Sequence, residues 1–234
     1  MRLRLVFLLP LLLLAAVLHA EQTNRSSEEL SPALKRMIAE AISAYKQEDF
    51  PKALKLLNEV DAIQPGTLAA LNLRGAIKLD QGDIKEAGKL FQEAHEKDPA
   101  FYPAKYNLAE IPFQEKDYDK AREMFEKLLR ENPADELAQF KIFLSYLLQR
   151  NMEQAKEKLE ALTWPGDTPA YYFSHAAWEY AHRNVEEAEG WIASASRIFS
   201  PNANAIYAQT LQELGWLKLR GEQKAEPGAD VPEE

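Results

Sequence analysis

Three stretches of this chain decide how it folds: DFPKALKLLNEVDAIQP (49–65), DIKEAGKLFQEAHEKDP (83–99) and DYDKAREMFEKLLRENP (117–133). Each opens on Asp, sets Ala at its fifth place and a large apolar residue at its ninth, and closes on Pro. Each begins 34 residues after the one before. The register carries on in both later parts of the chain. Ala53, Ala87, Ala121, Ala155 and Ala188 are spaced 34, 34, 34 and 33 residues apart, and a residue able to cap a helix (Asp49, Asp83, Asp117, Asn151, Asn184) stands four places before each. Leu57, Phe91, Phe125, Leu159 and Ile192 follow four places after.

Each coincidence has a physical cause. Asp or Asn ahead of an apolar-periodic run is a helix N-cap, because its side-chain oxygen accepts from an orphan backbone N–H. The alanine marks a close approach of two helices, where a larger side chain would overpack. The residue at +4 shares its face. Proline cannot donate and clashes with the preceding turn, so Pro65, Pro99 and Pro133 end helices, and Pro201 is expected to end the last. Gly75 fits a crossing of helices, and Gly82 a turn before the Asp83 cap.

With these residues in place the chain resembles the tetratricopeptide repeat family, whose 34-residue unit has small residues at positions 8 and 20, a large one at 24, a small or apolar one at 27 and Pro at 32. Gly75, Ala87, Phe91, Ala94 and Pro99 stand at those places in the second unit. The third keeps Ala109, Ala121, Phe125 and Pro133, and the first Ala41, Ala53, Leu57 and Pro65. The fourth departs, with Phe143 at position 8 and Asp167 where Pro is expected, and the fifth keeps Ala176, Ala188, Ile192 and Ala195 but is one residue short. The fold expected is all-α: a right-handed α-solenoid of about five helix-turn-helix units (34–67, 68–101, 102–135, 136–168 and 169–201). The ten helices are predicted at 34–47, 50–63, 68–81, 84–97, 102–115, 118–131, 136–149, 152–162, 169–182 and 185–199. An eleventh, about 203–219 within a segment 202–219, is expected to cap the open end, as solenoids require. Pro112 is expected to kink or shorten its helix near Ile111. The stretch Thr163–Ala170 reads as a Pro/Gly turn.

The ends read differently. Residues 1–20, MRLRLVFLLPLLLLAAVLHA, begin with Arg2 and Arg4, run apolar from Leu5 to Leu18 and close on Ala20. That is the layout of a secretory signal peptide, and it is short for a membrane span. The expected destination is periplasmic or extracellular, the alternative being retention of the segment as an anchor. Losing Arg2 and Arg4 with it takes the formal charge from −9 to −11. Residues 21–33 form a polar lead-in, and 220–234 read as a disordered acidic tail.

Composition excludes several classes of function. The 234 residues contain no cysteine, which removes disulfides, thiolate metal sites and Cys nucleophiles. The acidic balance argues against a protein that grips nucleic-acid phosphates. No Gly-rich phosphate loop, G-x-S-x-G or H-E-x-x-H occurs, so no catalytic residue and no cofactor is expected. His175, Glu179 and His182 have the spacing of metal ligands on one helix face, but hairpin packing and the helix dipole account for them, and no metal is assigned. The surface carboxylates follow helical periodicity, as a solvated face does. Asn24-Arg25-Ser26 fits the glycosylation pattern, which matters only in a host that glycosylates.

The family resemblance implies a binding groove lined by the first helices of successive units. Carried over, the lining is Ile38, Ile42 and Tyr45 from the first unit and Asn72, Leu73, Ala76 and Leu79 from the second. The third supplies Tyr106, Asn107, Glu110 and Phe113, the fourth Phe140, Lys141, Leu144 and Leu147, and the fifth Phe173, Ala177 and Tyr180. Such an aromatic and aliphatic lining suits a protein or peptide partner. Only Asn107 and Lys141 stand where some relatives place a carboxylate clamp. Two functions compete: an exported, non-catalytic scaffold holding a partner segment in this groove, or a self-associating envelope module using exposed helix faces or the cap, as the apolar residues of the cap (Ile206, Leu211, Leu214, Trp216, Leu217) suggest. Trp178, Trp191 and Trp216 are expected to fill the core near the fifth hairpin, and Trp164 to lie in a turn.

Overall fold

A computed structural model of the chain describes residues 30–162 and 168–217. The segment 1–20, Asn24, most of the lead-in, the 163–167 turn with Trp164 and Asp167, and the tail 220–234 lie outside the described residues. Among the described residues there are eleven helices and no strand: α1 (Pro32–Lys46), α2 (Phe50–Ile63), α3 (Leu68–Asp80), α4 (Ile84–Lys97), α5 (Tyr102–Gln114), α6 (Tyr118–Glu131), α7 (Glu136–Leu148), α8 (Met152–Ala161), α9 (Pro169–Ala181), α10 (Val185–Ile198) and α11 (Pro201–Glu213). Consecutive pairs from α1/α2 to α9/α10 pack as hairpins, and each hairpin stacks on the next. The first helices touch across units, α1 against α3, α3 against α5 and α7 against α9. Among the described residues no helix is long and apolar enough to cross a membrane.

Four of the five predicted caps form their side-chain bond. Asp49, Asp83 and Asp117 accept from the N–H of Lys52, Glu86 and Lys120, and Asn151 from that of Gln154. Asn184 makes no such bond; its amide donates to Glu179 Oε2 instead, at 2.7 Å. All five register alanines are fully buried between the helices of their hairpins, with Leu57, Phe91 and Phe125 buried beside them. Gly75 lies at a close crossing of α3 and α4, as expected: a Cβ there would lie 2.4 Å from the Phe91 ring.

Gln64, Asp98 and Asn132, each followed by proline, are extended, with ψ of 94°, 99° and 93°. The pyrrolidine ring excludes the helical conformation from the residue before it. Pro201 behaves otherwise. It does not close the last unit but opens α11 as its first residue, behind Ser200, whose hydroxyl caps the N–H of Ala203 at 3.2 Å. A missing N–H costs nothing at that position. Of the two outcomes expected at Pro112, shortening does not occur: α5 runs on to Gln114 and has the same 13 residues as α3, α7 and α9. The closing bond of α5 uses the Pro112 carbonyl, which accepts from Asp117 N–H at 2.8 Å and needs no N–H from proline.

The last helix is shorter than the predicted 203–219. Gly215, at φ +73°, ends it, and the N–H groups of Trp216 and Leu217 turn back onto the Leu211 carbonyl at 2.9 and 3.1 Å. This is a glycine-terminated C-cap.

Candidate functional site

The first helices of the units present one common inner face, and the side chains that the family resemblance assigned to a groove stand on it. They do not line an open groove. Asn72 on α3, Tyr106, Asn107, Glu110 and Phe113 on α5, Phe140, Lys141 and Leu144 on α7 and Phe173 on α9 are all buried, and Tyr180 at the end of α9 is half-buried. The rest of the expected lining, Ile38, Ile42, Tyr45, Leu73, Ala76, Leu79, Leu147 and Ala177, is buried as well.

Over the third to fifth units the cover is α11. Asn204 ties its first turn to the last hairpin, with Nδ2 donating to the Ala195 carbonyl at 3.2 Å, which is the capping role expected of it. The helix then continues across the inner face. The Tyr207 ring meets Phe140 edge-on at 5.1 Å and stacks on Phe173 at 5.6 Å. Leu211 is fully buried, and Trp216 stacks on Tyr180 at 6.3 Å. Ile206, Gln209, Thr210 and Glu213 close over Tyr106, Glu110 and Lys141, leaving a cavity of about 10 Å³. That is room for one water and for no small molecule.

Beneath this cover the inner face is polar along a line. Asn107 Nδ2 donates to Asn72 Oδ1 at 2.8 Å, joining α5 to α3. Lys141 Nζ donates to Glu110 Oε1 at 2.9 Å, joining α7 to α5, with the side chains only 2% and 3% exposed. The ammonium also lies 4.4 Å from the Phe113 ring centroid, a cation–π contact. The pairing is incomplete. Glu110 Oε2, Asn72 Nδ2 and Asn107 Oδ1 are buried without hydrogen-bond partners, and the Tyr106 hydroxyl faces Glu110 without closing a bond of ordinary geometry. Native interiors leave few such groups, and partly satisfied networks are costly.

Two carboxyls at the rim of this line respond to burial. Asp80, at the end of α3, is pushed up to about 7, chiefly by loss of water; Glu48 adds to the rise and the Tyr45 hydroxyl opposes it. Glu213, at the end of α11, is pushed up to about 8, again chiefly by burial; Lys141 opposes the rise, and Glu110 and Asp80 add to it. The Tyr106 and Tyr207 hydroxyls are raised mainly by burial. Sequence reasoning placed Glu110 and Lys141 on this face but missed Tyr207, Gln209, Asp80 and Glu213. The apolar spacing of α11 was readable; its length and the side of the stack it would cover were not.

The histidine cluster is dispersed into packing. His175 stacks on Trp191 at 4.5 Å and lies against Tyr171, and its charged form is disfavoured by burial. His182 Nδ1 bonds the Trp178 carbonyl at 2.7 Å, and Glu179 receives the Asn184 amide. Among the described residues no group of three or more His, Asp or Glu is placed to hold a metal ion. An open cleft of about 660 Å³ between α8 and α9, bounded by Lys156, Leu159, Tyr171, His175, Trp178 and Glu179, was not foreseen from the sequence.

Comparison with known proteins agrees with this geometry. Two family models, both described as tetratricopeptide repeat, match residues 38–100 and 78–141. A crystal structure of a tetratricopeptide repeat protein from Parabacteroides merdae ATCC 43184 superposes with a TM-score of 0.50 at 20% identity, over 80% of this chain and 75% of that one. No curated protein matches. The matched stretches, the five buried alanines in register and the shared all-α fold lead to one assignment: residues 38–141 are tetratricopeptide repeats, of a family whose members are typically non-catalytic scaffolds for protein–protein interaction.

Proposed function

We propose that this chain is an exported, non-catalytic scaffold that recognises a helical segment of another protein on its inner face. The observation that carries the reading is α11 itself. The face accepts a whole helix, through two aromatic contacts to Tyr207 and a sealed site for Leu211, over a line of polar groups that a purely structural core would not need. Burial of Tyr207 and Leu211 supports this reading, since an amphipathic helix from elsewhere meets the same requirements. Export rests on the Arg2 and Arg4 start and the apolar run to Ala20. The rival reading, self-association through the cap, loses its motivation, because Leu211 is buried and Ile206, Leu214, Trp216 and Leu217 are half-buried within the chain itself.

The chain has no cysteine, so one engineered disulfide between α9 and α11 would be the only one present. Proximity capture in the native compartment should yield a partner set that disappears when this disulfide locks α11 down and returns on reduction. The same partners from the locked and the reduced chain would overturn the reading. Export is tested separately by N-terminal sequencing: the mature protein should begin at residue 21 and be recovered outside the cytoplasm, and a chain that keeps Met1 in the cytoplasm contradicts it.

A further inference from the structure

The fit of α11 is good at its apolar residues and poor at its polar end. Tyr207 and Leu211 are well packed, one helical turn apart. Two residues further on, Glu213 enters a site whose charged neighbours are Asp80 from α3, Glu110 from α5 and Lys141 from α7. Fully ionised, that is three carboxylates around one ammonium, with Lys141 already committed to Glu110 at 2.9 Å. Gln209, on α11 itself, gives Glu213 its hydrogen bond, Nε2 to Oε1 at 2.9 Å. Without α11 the face still carries one carboxylate more than it has cations, and Glu110, whose Oε2 is buried without a hydrogen-bond partner, lines the same cavity as Glu213. Burial strengthens each of these interactions, so a charge of the wrong sign is disfavoured and one of the right sign is favoured.

We propose that α11 is an internal placeholder, and that the inner face takes in its stead a partner helix carrying an aromatic residue, a leucine four places on, and a lysine or arginine two places after that. Such a helix reproduces the Tyr207 and Leu211 contacts and answers Asp80 and Glu110 with the cation that α11 lacks. The raised position of Glu213 agrees with this mismatch. The proposal rests on the reading of the inner face as a recognition surface, and adds to it the chemistry of the partner and the means by which α11 yields.

The test has two arms. In the first, hydrogen exchange of residues 201–217 is measured at pH 7.5 in the full chain, in Glu213→Ala and in Glu213→Lys. Exchange should slow in Glu213→Ala, which removes the cost of burying that carboxyl beside Asp80 and Glu110, and slow further in Glu213→Lys, by tenfold or more against wild type. A Glu213→Lys chain that exchanges as fast as Glu213→Ala, or faster, overturns the proposal. In the second, a labelled peptide spanning 201–217 is added to the full chain carrying Leu211→Asp, which loosens its own α11. The peptide with Glu213→Lys should bind at least tenfold more tightly than the wild-type peptide, and one with Tyr207→Ala and Leu211→Ala should not bind. Equal binding of the first two peptides refutes the basic partner and leaves the recognition surface standing. No binding by either, to a chain that circular dichroism shows to be folded, removes the recognition surface as well.

Discussion

Lys141 and Glu110 show how much one side chain can matter in this fold. A buried ion pair contributes little net stability, because the Coulomb gain is offset by desolvation, yet removing one member strands the other. Lys141→Met should therefore cost about 3–5 kcal/mol, and Lys141→Met with Glu110→Leu distinctly less. Urea titration of both variants checks this, and equal losses would show that the pair does not act as a unit. Gly75 gives a second case. Its Cβ-less Cα faces the buried Phe91 ring, and a methyl group at 2.4 Å from that ring needs a shift of the ring or the helix. Gly75→Ala should lower stability by about 1–3 kcal/mol, although alanine is the better helix former. A chain that melts as the wild type does would mean that α3 and α4 are less closely apposed. Both the Gly75 approach and the buried alanines were legible in the sequence, because the register alanine recurs in all five units and a small residue stands at the Gly75 position in four of them, Phe143 being the exception.

The hairpin turns were not legible in the same way. Glu48, Gly82, Lys116, Arg150 and Arg183 occupy equivalent places, all with positive φ, between +59° and +79°. Only one of the five is the glycine that this conformation favours, so the sequence carries no mark of it at the other four. Glu48→Gly, Lys116→Gly and Arg150→Gly should each stabilise the chain by about 0.5–1 kcal/mol, relief of left-handed strain outweighing the added chain entropy. Thermal melts that fall rather than rise would contradict the turn geometry. Helix α11 should respond to pH. Asp80 and Glu213 hold their protons more tightly in the fold, at about 7 and about 8, than at their ordinary values of 3.8 and 4.5. Their contribution is complete below pH about 4 and is lost as the pH rises to about 8. The groups facing them are Glu110 and Tyr106 on α5, Lys141 on α7, and Tyr45 and Glu48 near Asp80. Protection of 201–217 from hydrogen exchange, corrected for intrinsic rate, should therefore fall between pH 5 and pH 9, and Glu213→Gln should flatten the fall. A wild-type profile that is flat would remove this linkage.

At the scale of the whole molecule, a one-dimensional repeat is closed by an element from outside the repeat. The stack was readable from spacing because each unit meets only its neighbours, so its contacts recur at a fixed period. The path of α11 was not readable. Tyr207 on Phe140, and Glu213 beside Asp80, join positions far apart in sequence that share no period with anything. Over the third to fifth units, the residues that a family-based reading places in an open groove are thereby buried, and the question of function moves from what lines the face to what can replace its cover. Aromatic nuclear Overhauser spectroscopy on the full chain tests that arrangement most directly. Cross-peaks between the Tyr207 ring and the rings of Phe140 and Phe173 are the predicted result; their absence, with a Tyr207 ring exposed to solvent, would contradict it.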